Sequence, residues 1–232
     1  MSADSPDQNM DEEEISCKVV LLGESGVGKT SIINNFMDKD SSEETSSTTG
    51  ATFSTKTLSF EKYNKSICFE IWDTAGQEKY RSLTRMFYKD ASAAVLVYDI
   101  TRNDSFQQLK EYWINQIKEN SPKRIILAIA ANKSDRYEEE QIKEEEGREC
   151  ANANQAIFVK TSCILKEGIE DLFIEIGNKF LNPNSEITDE DIEENQTRNE
   201  IQRKSVKLRA TGNNDNEGNQ NGNEKVKKKS CC

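Results

Sequence analysis

The sequence of 232 residues contains no histidine and only three prolines, and it has no long apolar run. Without imidazole, Ser-His and Cys-His nucleophilic catalysis are excluded, and so is a metal site built on histidine. The longest uninterrupted apolar run, residues 125–131, is far shorter than the ~20 residues that span a bilayer. The first residues also lack the basic and apolar stretches of a secretory signal, so we expect a cytosolic protein. Its chemistry must rely on positioning, backbone donors and a hard metal ion.

Cysteine and charge are present but give little direct indication of function. Four of the six cysteines lie inside element-like stretches without metal-ligand spacing, which is typical of reduced thiols in a cytosolic chain. The net charge is −11, and residues 1–15 contain six acidic side chains and no basic one. The middle of the chain is only mildly acidic, so we expect no binding to nucleic acid.

Composition divides the chain into three segments. Residues 1–15 are acidic and poor in large apolar side chains, which predicts a disordered arm. Residues 16–181 have the mixed pattern of one folded domain. Residues 182–232 contain no aromatic side chain and are rich in asparagine and charge, which predicts a disordered tail.

The domain has the pattern of an α/β fold. Short apolar stretches that predict strands cover residues 17–22, 67–72, 93–98, 125–131 and 157–160. Amphipathic stretches that predict helices cover residues 30–37, 79–88, 105–119, 138–153 and 168–181. Residues 52–60 should form a hairpin with the next strand. We therefore expect a six-stranded, mainly parallel sheet with one antiparallel edge strand and helices on both faces.

A glycine-rich motif, GESGVGKT, follows the first predicted strand at residues 23–30. Its glycines let the backbone wrap a phosphate chain, and the following helix begins with a favourable dipole. Lys29 would bridge the terminal phosphates, and the Thr30 hydroxyl would bind Mg²⁺. The predicted phosphate-binding residues are Gly23, Ser25, Gly26, Val27, Gly28, Lys29, Thr30 and Ser31.

A second motif, DTAGQ at residues 73–77, ends the strand predicted over residues 67–72. Asp73 would lie beside the phosphate loop and hold Mg²⁺ through water. The Gly76 N–H can reach a γ-phosphate, which would tie this segment to the nucleotide state. Gln77 is placed to orient an attacking water. The D-x-x-G pattern alone is weak, and its order and spacing after the first motif make it strong.

A third motif, NKSD at residues 132–135, follows the strand predicted over residues 125–131. The Asp135 carboxylate can accept both the N1–H and the N2–H of guanine, a donor pair that adenine lacks. A wrong base would leave that charge unpaired, at a cost of about 1.5–3 kcal/mol. The stem of Lys133 can cover one face of the base, and the segment at Ser162 and Cys163 would add a backbone donor. These residues, with Asn132, predict a guanine site.

Together these motifs resemble the Ras superfamily of small GTPases and, within it, the Rab family. The Rab-like stretches are WDTAGQEKYRSL (72–83), FYKDA (87–91) and LVYDIT (96–101), and GATF (50–53) resembles the endosomal branch. The resemblance implies hydrolysis of GTP to GDP with Mg²⁺, slow without a GTPase-activating protein, and a switch in vesicle-mediated protein transport. It also implies a monomer with an exchange factor, a Rab escort protein, a GDP dissociation inhibitor and effectors as partners.

The resemblance extends to particular residues. Thr48 matches the switch threonine that reaches Mg²⁺ and the γ-phosphate. Phe53, Trp72 and Phe87 match the aromatic triad that faces Rab effectors. An ordinary core role is the alternative for all three, and for Trp72 the two roles have equal weight. The terminal Cys231 and Cys232 resemble a doubly geranylgeranylated end, preceded by a basic patch. This implies attachment to the cytoplasmic face of intracellular membranes, endosomal ones among them, with a soluble cytosolic pool.

The chain departs from the family pattern around the base. Cys163 stands in place of the usual alanine, Ile164 in place of a lysine, and Thr49 in place of an isoleucine. Ser41 falls where an aromatic ring normally stacks on guanine, unless residues 38–47 shift in register. These departures leave the phosphate and Mg²⁺ residues unchanged and concern the tightness of nucleotide binding.

Two other functions are compatible with parts of the sequence. A nucleotide-dependent binding module needs only different contacts in two states and hardly any hydrolysis. A metabolic phosphotransferase could use the phosphate loop, but residues 132–135 would then have no role.

Overall fold

A computed structural model of the chain describes residues 13–39, 52–73 and 88–184. In this part of the chain six strands form one sheet: β1 (Glu13–Leu22), β2 (Thr52–Phe60), β3 (Lys65–Asp73), β4 (Ala93–Asp99), β5 (Ile126–Asn132) and β6 (Ile157–Thr161). Their spatial order is β2-β3-β1-β4-β5-β6. Only β2 runs antiparallel to its neighbour, and the other pairings are parallel. The predicted sheet, with its antiparallel edge, is confirmed.

Helices connect the strands, as the sequence pattern predicts. They are α1 (Lys29–Phe36), α2 (Asn103–Gln108), α3 (Ile114–Asn120), α4 (Glu144–Ala153) and α5 (Ile169–Leu181). A π-helical turn, Leu109–Trp113, connects α2 directly to α3. The helix predicted over residues 105–119 is therefore one continuous helix, the α2–α3 rod, with a π-helical turn in its middle. The helix predicted over residues 79–88 falls almost entirely outside the described residues.

Two predicted boundaries are wrong. The helix predicted from residue 138 begins only at Glu144, after a 3₁₀ turn at Ser134–Glu139. The backbone N–H groups of Gln141 and Ile142 donate to the Ile100 carbonyl instead of continuing a helix. The acidic arm was expected to extend to residue 15, but Glu13–Leu22 is strand, because Lys65 and the residues after it pair with its first residues. The remaining arm and residues 185–232 lie outside the described part, so the division into three segments stays a prediction.

The core lies on both faces of the sheet, because successive strand residues point to opposite sides. Val19 and Leu21 of β1 pack in the cluster with α1 and α5, where Phe36 stacks on Phe173 with ring centroids 3.7 Å apart. Val20 and Leu22 pack in the opposite cluster with the α2–α3 rod. The carboxyl ends of β1, β3, β4, β5 and β6 therefore meet at one edge of a rigid sheet. Among the helices that the structure describes, none is long and apolar enough to cross a membrane.

Candidate nucleotide-binding site

The glycine-rich loop, residues 23–28, joins β1 to α1 at the carboxyl edge of the sheet. Gly23 has φ 144° and Gly28 has φ 100°, which L side chains rarely adopt. A Cβ atom on Gly23 would run into the Val97 carbonyl oxygen, and one on Gly28 would meet the Asn132 side-chain amide. The loop is therefore held in one conformation by neighbours that leave room only for glycine.

The Lys29 side chain lies back across this loop and is only 5% exposed. Its Nζ donates to the carbonyl oxygens of Gly23, at 2.9 Å, and Glu24, at 2.8 Å. Burial lowers the pKa of Lys29 from 10.5 to about 8, although the charges of Asp73 and Glu24 act in the opposite direction. A buried ammonium group under strong desolvation favours a negatively charged ligand beside it.

Thr30 and Asp73 meet next to Lys29, 43 residues apart in sequence. The Thr30 hydroxyl donates to Asp73 Oδ2 at 2.6 Å. The other carboxylate oxygen, Oδ1, is buried and has no hydrogen-bond partner among the described residues. Burial raises the pKa of Asp73, and the Thr30 hydrogen bond and the Lys29 charge partly oppose that rise. A hydroxyl and an under-satisfied carboxylate oxygen are the ligands that a hard cation such as Mg²⁺ takes, so these residues fit that ion.

Asn132, the last residue of β5, connects the phosphate loop to the base side. Its Nδ2 donates to the Val27 carbonyl oxygen at 2.7 Å, and its Oδ1 accepts a hydrogen bond from the Thr161 hydroxyl at 3.0 Å. The side chain is almost completely buried. Both of its polar groups are bonded to protein atoms, so this residue braces the loops around the site.

Asp135 and the segment after β6 lie along the other side of the site. The Ser162 hydroxyl donates to Asp135 Oδ1 at 2.6 Å and accepts the Leu165 N–H at 3.0 Å. The Cys163 carbonyl accepts a hydrogen bond from Asn35 Nδ2 at 2.9 Å, which ties this segment to α1. Burial raises the pKa of the Cys163 thiol to about 11, so the thiol is protonated at neutral pH. Asp135 Oδ1 is thus oriented by a buried hydroxyl.

Most predicted nucleotide residues converge at this edge. Those in the described part are Gly23, Ser25, Gly26, Val27, Gly28, Lys29, Thr30, Ser31, Asp73, Asn132, Lys133, Asp135, Ser162 and Cys163. Thr48, Gly76, Gln77, Phe87, Cys231 and Cys232 lie outside the described residues, as do Ser41 and Thr49.

Two of the three predicted effector-facing aromatics are described. Phe53 is 51% exposed, and its ring centroid lies 5.1 Å from that of Trp72. Trp72 is half-buried and also packs against the core cluster that contains Val20. Trp72 therefore packs on the core and also contacts the exposed Phe53 ring, and its role toward effectors stays a prediction.

The structure adds two residues that sequence reasoning did not assign to the site. Asp99 at the end of β4 pairs with Lys133, with 2.5 Å between Oδ2 and Nζ. Arg102 Nη1 donates to the Ser25 carbonyl of the phosphate loop at 3.0 Å. The sequence contained one indication for Asp99: it is a polar residue at the end of a buried parallel strand, as Asp73 and Asn132 are.

Comparison with known proteins agrees with this geometry. A family model described as Ras family matches residues 18–182. Human Ras-related protein Rab-22A is 40% identical over 163 residues, which cover 70% of this chain and 82% of that protein. Mouse Ras-related protein Rab-31 is 44% identical over the same shares of the two chains. Ras-related protein Rab5 of Nicotiana tabacum is 38% identical over 72% of this chain and 82% of its own length.

The family predicted from the three motifs is therefore confirmed. Members of this family bind GTP and GDP with Mg²⁺, are controlled by exchange factors and GTPase-activating proteins, and hydrolyse GTP to GDP. The chain belongs to the Ras family and, within it, to the Rab small GTPases of the endosomal branch, which act in vesicle trafficking.

Proposed function

We propose that this Rab GTPase is a switch on the cytoplasmic face of endosomal membranes, with its nucleotide held at the edge formed by β1, β3 and β5. The observation that carries the assignment of the site is the Thr30–Asp73 hydrogen bond beside the buried Lys29. A cation ligand pair and a buried ammonium group lie together beside a loop whose conformation requires glycine at positions 23 and 28. This combination matches the charge of a nucleotide phosphate chain with its metal ion.

The phosphate side carries the reaction in this proposal. Mg²⁺, when bound, supplies positive charge that stabilises the terminal phosphates. Thr30, Asp73 and, by resemblance, Thr48 would hold it. Lys29 adds a second positive charge close to the leaving oxygen, and the backbone N–H groups of residues 25–30 orient the phosphate chain. Gln77 would place the attacking water in line with the bond that breaks. The Gly76 N–H would donate to the γ-phosphate, so the conformation of its segment would depend on whether GTP or GDP is bound.

The base side selects guanine. Asp135 accepts two donors of the base, and Ser162 keeps its carboxylate in place through the 2.6 Å hydrogen bond. The Lys133 stem covers one face, and the segment at Cys163 offers a backbone donor to the guanine carbonyl. Asn132 links these groups to Val27, so base and phosphate contacts move as one unit.

Attachment and partners follow the family pattern in this proposal. Two geranylgeranyl groups on Cys231 and Cys232 give stable anchoring, because one lipid alone holds a protein only marginally. The lysines at positions 225, 227, 228 and 229 add about 1 kcal/mol each near an anionic leaflet. Tethering and fusion factors would bind the GTP form by contacting Phe53, Trp72 and Phe87. A Rab escort protein and a GDP dissociation inhibitor would handle the lipidated tail.

The metal assignment is tested by the release of fluorescent GDP with Mg²⁺ and with excess chelator. In the parent, chelation should speed release strongly, because it removes the cation that Thr30 and Asp73 hold. In Asp73→Asn the two rates should be nearly equal. Asp90→Asn, an exposed position just before the amino end of β4, is the matched control and should behave as the parent does. An unchanged Mg²⁺ effect in Asp73→Asn would remove this residue from the metal site.

The role of Gln77 is tested by single-turnover hydrolysis. Gln77→Leu should hydrolyse GTP more slowly than the parent, with GTP affinity nearly intact, because only water positioning is lost. Phosphate release is measured with and without a GTPase-activating protein. Equal turnover in the two proteins would exclude Gln77 from the reaction, and negligible turnover in both would favour the binding module.

The membrane anchor is tested in cells by imaging and fractionation. Replacing Cys231 and Cys232 by serine should move the tagged protein from endosomal membranes to the cytosol, with GDP binding unchanged. Cys150→Ser, a half-buried thiol on α4, is the control and should stay on the membrane. A double-serine variant that remains membrane-bound would show that another anchor holds the protein.

A further inference from the structure

The turn that follows β4, residues 99–105, touches both halves of the nucleotide site. We refer to it as the β4 turn. It is internally fixed, because the Ser105 hydroxyl donates to the Arg102 carbonyl at 2.7 Å and accepts the Asp99 N–H at 3.1 Å. The Ile100 N–H donates to the Asn132 carbonyl at 3.1 Å, so the turn is also attached to the end of β5. None of the three nucleotide motifs includes these residues.

Asp99 is the base-side end of the turn. Its side chain is 1% exposed, and Oδ1 accepts two hydrogen bonds from Thr101, from N–H at 2.9 Å and from Oγ1 at 2.7 Å. These bonds leave Oδ2 for the Lys133 ammonium, 2.5 Å away. Burial acts to raise the pKa of Asp99, but the hydrogen bonds from Lys133 and Thr101 outweigh it and hold the pKa below its ordinary value. The carboxylate is therefore a fixed charged anchor for the Lys133 side chain.

Arg102 is the phosphate-side end of the turn. Its guanidinium is held by the Asp104 carboxylate, with Nη2 2.8 Å from Oδ2. In this orientation Nη1 donates to the Ser25 carbonyl at 3.0 Å. The Ser25 carbonyl belongs to the same peptide unit as the Gly26 N–H, one of the donors proposed to face the phosphates. A hydrogen bond at one end of a peptide unit fixes the direction of its other end, because the unit is planar.

We infer that the β4 turn is a positioning element of the nucleotide site: Asp99 sets the Lys133 side chain against the base, and Arg102 sets the Ser25–Gly26 peptide against the phosphates. This inference rests on the proposed roles of the loop and of Lys133. Asp99 and Arg102 touch neither substrate nor metal in this scheme. They control how long the nucleotide stays bound, and the two contacts lie only three residues apart on one rigid turn.

The experiment measures the off-rate of fluorescent GDP by stopped flow, with the thermal midpoint of each variant as a check of folding. Asp99→Asn keeps an oxygen for the Thr101 hydrogen bonds and removes the charge that holds Lys133. It should release GDP about tenfold faster than the parent. Arg102→Met should release it about threefold faster, because its contact is partly exposed. Glu144→Gln and Arg148→Met, an ion pair on α4, are the matched controls and should match the parent.

A double mutant separates positioning from a general effect on the fold. If Asp99 acts through Lys133, adding Asp99→Asn to Lys133→Met should cause no further acceleration, and it should raise the thermal midpoint, because the unpaired buried charge is removed. Effects that multiply would show that Asp99 does not work through Lys133. If Asp99→Asn fails to fold, Thr101→Val keeps the charge but loosens the carboxylate, and it should speed release by about twofold to threefold.

A parent-like off-rate in a folded Asp99→Asn, or in Thr101→Val where Asp99→Asn does not fold, overturns the inference. Failure of the proposed site assignment looks different. In that case GDP release from Asp73→Asn would remain as sensitive to Mg²⁺ as release from the parent, whatever Asp99 does.

Discussion

The phosphate side and the base side of the site are built in different ways. The phosphate side is largely one stretch of chain, residues 23–30, whose shape comes from glycines with positive φ and from the helix that follows. The base side is assembled from the ends of β4, β5 and β6, with Asp99, Asn132 and Thr161 brought together from distant parts of the sequence. Local backbone conformation thus shapes the phosphate contacts, whereas long-range side-chain hydrogen bonds shape the base contacts.

The two sides also differ in how closely they follow the family pattern. The phosphate motif agrees fully, but the base side carries Cys163 and Ile164, and the ungapped count predicts Ser41 at the aromatic position. Ile164 is 79% exposed, and Leu165 and Tyr137 are exposed as well. A motif fixed by backbone geometry tolerates few replacements, because a Cβ at its glycines meets backbone or a buried amide. Side-chain contacts to a flat base can be altered one at a time.

The largest effect should come from the residue at which the two sides touch. Gly28→Ala adds a Cβ atom at φ 100°, which strains the backbone of the loop. The same atom runs into the amide of Asn132, the residue that connects the base side to the loop, and should displace it. We expect GDP affinity to fall by about a hundredfold or more, measured by titration of fluorescent GDP. Gly212→Ala in the predicted tail is the control and should bind as the parent does. Affinity within threefold of the parent would show that the two sides are not joined at Gly28.

A base-side change should alter specificity and leave phosphate binding intact. Asp135→Asn presents an amide donor, which matches the second carbonyl of xanthine in place of the guanine amino group. Xanthine nucleotide should then compete better than GTP, a reversal of about tenfold to a hundredfold. Competition against fluorescent nucleotide measures it, and Asp90→Asn, exposed before β4, is the charge-matched control. GTP preference that survives unchanged would contradict the role of Asp135.

A phosphate-side change, Lys29→Met, should alter how the stability of the nucleotide-free protein depends on pH. The pKa of Lys29 is lowered to about 8 by burial, whereas in the unfolded chain it is near 10.5. Between these values the unfolded chain binds more protons, so the free energy of unfolding rises with pH through this window. The contribution is on the order of 3 kcal/mol, and it should be absent in Lys29→Met.

Urea unfolding of the parent and of Lys29→Met across that window measures the difference. Taking this difference cancels the other groups that titrate there, including Cys17, whose raised pKa acts in the opposite direction. GDP with Mg²⁺ should remove the rise, because phosphate favours the charged amine. Lys62→Met, on an exposed turn, is the control. If the free energy of unfolding changes with pH in the same way in the parent and in Lys29→Met, burial does not disfavour the charged form of Lys29.

The smallest expected effect concerns the missing aromatic. Base–aromatic stacking contributes about 1–3 kcal/mol, so a protein with Ser41 in that position should release GDP faster than its relatives. Ser41→Phe should slow release by about fivefold or more, measured with fluorescent GDP. Ser42→Phe is the control for adding a ring nearby. Equal rates in Ser41→Phe and the parent would favour a shift of register in residues 38–47.

Sequence by itself determined the parts of this protein that depend on local pattern. Short apolar runs that alternate with amphipathic stretches predicted the sheet and most helices, and the hairpin at residues 52–60 predicted its antiparallel edge. Fixed motif spacing predicted Lys29, Thr30, Asp73 and Asp135. Local pattern failed where long-range hydrogen bonds compete with it. The N–H groups of Gln141 and Ile142 bond to Ile100, so the helix starts at Glu144, and β3 draws residues 13–15 into β1.

Only the tertiary structure decided which polar side chains meet at the edge of the sheet. Asp99 pairs with Lys133, and Arg102 donates a hydrogen bond to Ser25. Asn132 forms two hydrogen bonds, one with Val27 and one with Thr161. These contacts join residues that are 29 to 105 positions apart in sequence. No periodicity or motif spacing encodes such pairs. They exist because parallel strands end at a common edge, where desolvated charges and amides must find partners in whatever chain segment the fold brings beside them.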